Sequence, residues 1–153
     1  MSRLVVLMLA LALPALSLAQ DKDAQEISRY VLTDAALAKY ARAVENLRPL
    51  AKQISSCEEE DADSIAAMAA RIDRVPAAKA AIQSAGLPTR EYVVFVFAVF
   101  QTGMAVWAME QPGGKLPAGV SQANVNFYKA NRAKIEGIPR VEDGCDDSAE
   151  QDE

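Results

Sequence analysis

The chain has 153 residues, with 16 basic and 21 acidic side chains and no histidine, a formal net charge of −5 and a mean hydropathy of zero. That length suits one domain, and an acidic balance argues against nucleic acid and anionic membrane surfaces, which call for clustered Lys and Arg. The missing histidine removes His-based triads, common transition-metal ligand sets and the ordinary general base near pH 7.

The first residues read as an export signal. Arg3 supplies a positive start, an apolar stretch runs from Leu4 to Leu13, Pro14 breaks it, and Ser17-Leu18-Ala19 has the small-x-small pattern of a peptidase site. The apolar stretch is short for a span, which takes about 20 residues. Cleavage after Ala19 removes residues 1–19 and leaves 134 residues with net charge −6. The expected location is exported, periplasmic or secreted, with no stable membrane span after cleavage. Residues 20–32, beginning Gln20-Asp21-Lys22-Asp23, read as a frayed leader to a bundle domain over 33–141.

Leu37, Tyr40, Ala41, Val44 and Leu47 recur at three- and four-residue steps, which predicts a helix capped by Thr33 and stopped or kinked just before Pro49. Tyr30, Val31 and Leu32 are placed to staple its start. After an acidic linker from Ser55 to Asp63, a second stripe (Ile65, Met68, Ala69, Ile72, Val75) is interrupted by Pro76. A short Ala-rich helix continues through Ile82, with Gly86 as its C-terminal cap residue.

Thr89 reads as the N-cap of the most distinctive element, a nearly unbroken apolar run from Val93 to Met109 that predicts one helix over Arg90–Glu110. Val93 to Phe100 alone could be a buried strand, but no other segment could pair with it and the apolar signal outruns strand length. A helix apolar on every side belongs in a membrane or at the centre of a bundle. Gln101, Thr102 and Gly103 at its middle favour the bundle. A Gly- and Pro-rich loop (Gln111–Gly119) leads to a last helix capped by Ser121, with one apolar face of Val125, Tyr128 and Ile135, widened by Phe127 and Ala130, and Gly137 and Pro139 at its end. Asn124, Tyr128 and Asn131 read as an exposed polar edge. Residues 142–153 form an acidic tail. The expected fold is all-α, an irregular bundle of four or five helices around a central apolar helix at about 90–110.

In an oxidising compartment the two cysteines, Cys57 and Cys145, are expected to pair, closing an 88-residue loop worth about 4–5 kcal/mol in the chain-entropy model. That bond would join two carboxylate clusters, from which Glu58, Glu59, Asp61, Asp143 and Asp146 are the candidate ligands of a hard cation such as Ca²⁺. Phe97, Gln101, Thr102, Met104 and Trp107 are the candidate lining of a small apolar pocket in the bundle core. No nucleotide, nucleophile-elbow or haem-attachment motif is present, so no cofactor and no catalytic residue are assigned.

The stretches Leu32-Thr33, Lys39-Tyr40, Gly86-Leu87-Pro88-Thr89-Arg90-Glu91-Tyr92 and Val120-Ser121-Gln122-Ala123-Asn124-Val125 make the chain similar to small exported bacterial helical proteins of no assigned function. That resemblance implies an exported helical fold and carries over no functional residue. The expected role is non-enzymatic: binding a protein partner or envelope component, with carriage of a small apolar ligand as the alternative. The denatured intact mass of the exported protein checks two of these expectations together. It should report a chain beginning at Gln20 and lacking two hydrogens; a chain retaining residues 1–19, or two free thiols, refutes the corresponding expectation.

Overall fold

The computed structural model describes residues 15–54 and 64–139, and for 15–21 the backbone alone. In chain order these form α1 (Ala15–Arg29), α2 (Asp34–Leu47), a 3₁₀ turn (Arg48–Leu50), α3 (Ala51–Ile54), α4 (Ile65–Asp73), α5 (Pro76–Ser84), α6 (Thr89–Glu110) and α7 (Gln122–Glu136). The fold is all-α around a central apolar helix.

Local chemistry explains most boundaries. Thr33, Ser64 and Ser121 sit in extended backbone and accept from the amides of Ala36, Ala67 and Asn124, satisfying donors that open α2, α4 and α7. Leu32, just outside the Thr33 cap, packs with Leu37 four positions inside it, the arrangement of a hydrophobic staple. Pro76 opens α5, where its missing N–H costs nothing. Gly86, at φ +86°, closes α5 while Leu87 bonds back to the Ile82 carbonyl and packs beside it.

Helices α1, α2, α4, α5 and α7 all lie against α6. At the centre Phe95 is fully buried. Its ring stacks on Tyr40 (centroids 4.8 Å apart) and meets Tyr30 edge-on (6.1 Å), while Tyr40 also stacks on Tyr92 (5.5 Å). Aromatic pairs in these orientations add about 0.5–1.5 kcal/mol each beyond area burial. Helix α7 crosses α6 at Gly103, where a Cβ would meet the Tyr128 ring and hydroxyl at 3.0–3.2 Å. Glycine there permits the close crossing.

The structure departs from the sequence expectations at three places. The supposed leader is helical to Arg29 and docked: Ile27 packs into the core, and Arg90 on α6 donates both Nε and a terminal NH2 group to Glu26. Asp23 accepts the Ile65 amide at 2.8 Å and so caps α4 from another helix. Helix α2, by contrast, stops at Leu47 just before Pro49, as expected, and a 3₁₀ turn that needs no donor there leads into α3. Pro88, not Thr89, is the N-cap of α6; the buried Thr89 hydroxyl instead donates to Asp73 at 2.6 Å. Finally, the edge read as exposed faces inward. Asn124 and Asn131 are buried and Tyr128 is half-buried.

Asn124 is the key of the α1–α2 turn. Its Oδ1 accepts the Leu32 amide at 3.0 Å and its Nδ2 donates to the Tyr30 carbonyl at 2.8 Å, spanning more than 90 positions of chain. Replacing Asn124 with Ala strands both backbone groups and should cost about 2 kcal/mol. The check is urea denaturation, where the midpoint falls and the slope stays unchanged.

Candidate functional site

Helix α6 is apolar on all sides, so its sequence carries no phase: its hydrophobic periodicity cannot say which side faces the core. Packing decides instead. Val93, Val94, Phe95, Ala98, Thr102, Ala105 and Val106 are buried. Along a neighbouring stripe Val93 and Phe97 pack with Ile65 and Ala69 of α4, but beyond Phe97 that cover ends. Phe100, Met104 and Trp107 follow at four- and three-residue steps and stand 65%, 50% and 59% exposed. The central helix is therefore not covered all round: the C-terminal half of α6 presents an open apolar face.

The return loop builds one wall of this face. At the end of α6 the chain turns at Gly114, where a Cβ would lie 2.2 Å from the Ala108 carbonyl oxygen. Residues 117–120 then run back beside the helix, leaving a shallow groove of about 290 Å³ lined mainly by Gln101, Met104, Trp107, Ala108, Pro117 and Val120. The side-chain amide of Gln101 reaches over Gly119.

Of the five residues expected to line a core pocket, Gln101, Met104 and Trp107 come together at this surface groove. Thr102 and Phe97 do not. The Thr102 hydroxyl is buried and donates to the Ala98 carbonyl at 2.6 Å, a bond within its own helix that removes its need for any other partner. Phe97 is covered from the α4 side. Pro117, Ala118 and Val120 were not foreseen as groove residues; the Gly-rich turn at 113–114 was the available signal. Cys57 and Cys145 lie outside the described residues, as do Glu58, Glu59, Asp61, Asp143 and Asp146. Among the described residues no cluster of three metal-ligating side chains occurs.

The titratable groups with shifted affinities hold helices together. Asp73 accepts from Thr89 and Lys79, and the Thr89 hydroxyl, then Lys79, holds its carboxyl below the usual range, joining the ends of α4, α5 and α6. Burial raises Tyr40, and burial with the nearby Tyr40 raises Tyr92. Tyr30 is pushed up to about 12 by burial, then by Glu91, whose carboxylate accepts its hydroxyl proton at 3.3 Å.

Charge is distributed unevenly. Among the described residues lie 14 of the 16 basic side chains but 9 of the 21 acidic ones, so the described bundle is net +5 within a chain of net −5. The acidic surplus sits in 55–63 and 140–153. An acidic surface, the premise for excluding anionic partners, is therefore not a property of the bundle.

No family model, curated protein or solved structure matches the chain.

The tyrosine shifts set a pH dependence. Because the folded-state value of Tyr30 lies above its ordinary value of 10.0, its contribution to stability is complete below pH 10 and is lost as pH rises through about 12. Spectroscopic titration should therefore find tyrosinate forming above pH 10 in step with loss of tertiary structure. Ionisation of all the tyrosines near pH 10 in a folded chain contradicts the packing described.

Proposed function

We propose that the protein is an exported, non-enzymatic helical domain that works by binding a partner, a protein or an envelope component, through the open face of α6. The observation that carries this reading is the exposure of Phe100, Met104 and Trp107 in one stripe. Three large apolar side chains at i, i+4 and i+7 cost solubility, and a contiguous exposed patch of this kind marks interaction surfaces. Every shifted acid or tyrosine described above is engaged in joining helices, which supports a binding role over a catalytic one.

Carriage of a small apolar ligand is the second reading, and the groove beside Trp107 is what favours it. At about 290 Å³ it sits at the lower edge of small-molecule sites, roughly 300–1,000 Å³, and it lies on the surface instead of within the core. That ranks it below partner binding.

A photo-crosslinking side chain in place of Met104, carried by the protein in its own host, tests the binding face. Irradiation should yield adducts that the same probe at Ala77, exposed on α5, does not form. Equal yields at the two positions would refute a binding role for α6. Native mass spectrometry of protein from that host separates the second reading, since a carried ligand appears as extra mass absent from the denatured chain.

A further inference from the structure

Resting on the binding face just described, we infer that its occupant is an anionic lipid surface, against which the domain lies with the C-terminal half of α6 facing the acyl chains.

Three observations converge on this. First, no charged residue occurs from Tyr92 to Met109, so pressing the stripe into an apolar medium buries no charge. Second, the stripe is small and chemically plain. At 50–65% exposure, Phe100, Met104 and Trp107 offer roughly 350 Å² of apolar surface, about half of what one partner contributes to a standard protein interface. Beyond the Trp107 indole N–H and the Gln101 amide, their neighbourhood on α6 has little to specify a protein by directional bonds. A bilayer surface asks for no such bonds; affinity there scales with apolar area plus positive charge.

Third, the charge is right. From Gln101 to Pro139 the chain carries Lys115, Lys129, Arg132 and Lys134 against Glu110 and Glu136; Arg132 pairs with both glutamates and Lys134 with Asp34, which leaves Lys115 and Lys129 as the positive excess. Attraction depends on charge within about a Debye length, some 8–10 Å at physiological salt, so this local excess matters more than the whole-chain balance. The same charge disfavours a second copy of the bundle, which would bring like charges together. A polyphosphate would use the lysines but leave the apolar stripe without a role.

Helix α6 is long and apolar enough to cross a membrane, with a mean hydropathy of 1.8 over its most apolar window. Crossing would require stripping off the five helices packed on it, together with the buried bonds of Thr89. Lying at the surface keeps them all.

Trp107 is the chain's only tryptophan and sits in the stripe, so its fluorescence reports occupancy directly. The mature full chain is titrated with neutral phosphatidylcholine vesicles and with vesicles also containing phosphatidylglycerol. The expected result is a blue shift with the anionic vesicles, little with the neutral ones, and reversal on raising salt to about 0.5 M. Phe100→Ser combined with Met104→Ser should weaken partitioning by at least about tenfold while leaving the helical circular dichroism intact. Lys115→Glu with Lys129→Glu should remove the preference for anionic lipid. A shift equal on both vesicle types overturns the charge argument. One that grows with protein concentration without vesicles indicates a second copy and overturns the lipid surface. If vesicles have no effect yet Met104 crosslinks a protein in the host, the lipid inference fails and the binding face stands. Absence of both signals defeats the two together.

Discussion

Eighteen consecutive residues without a charge, from Tyr92 to Met109, cannot remain in water on a helix about 27 Å long. Covering them is the constraint to which the rest of the chain answers. No other described helix is as long as α6, so the cover is assembled from α1, α2, α4, α5 and α7, each burying a partial stripe. The aromatic centre lies within this cover, at the fully buried Phe95. Where α4 runs out the cover thins, and Phe100, Met104 and Trp107 come to the surface. The open face is thus the remainder of the same packing problem that forms the core.

Apolar contacts alone would leave short helices free to slide on such a uniform surface. A few polar contacts set their positions. Asn124 holds the turn between α1 and α2, Asp23 fits the start of α4, and Thr89 with Asp73 pins α6 to the ends of α4 and α5. Most of these are backbone amides or hydroxyls paired with a carboxylate or amide at 2.6–3.0 Å, geometry that tolerates little displacement. No buried side-chain nitrogen or oxygen among the described residues lacks a partner. Such networks contribute specificity of arrangement as well as energy.

What could be read from the sequence was whatever neighbours in sequence decide. Thr33 and Ser121 cap the residues three positions ahead of them, Leu32 packs on Leu37, and Gly86 closes its own helix; each signal and its effect lie within a turn or two. Long-range pairing left no such trace. Asn124 looked like an exposed polar residue because its partners, Tyr30 and Leu32, are more than 90 positions away. Asp23 looked like a frayed end because the amide it caps belongs to α4. Thr89 has the chemistry of an N-cap, but Pro88 had already fixed the extended backbone that a cap needs. The open face was hidden for another reason: with no polar side to α6, hydrophobic periodicity is silent about orientation. The positive bundle was hidden by addition, since a whole-chain sum mixes it with acidic residues in 55–63 and 140–153.

Asn124 also orders events in time. A chain that emerges N-terminus first from the ribosome offers Tyr30 and Leu32 early but must wait for residue 124 before that turn can close. Until then α1 and α2 lack the contact that sets their angle, and α6 lacks the crossing helix at Gly103. Closure of that turn and the crossing at Gly103 are therefore the last contacts available, after the pairings among α1 to α6.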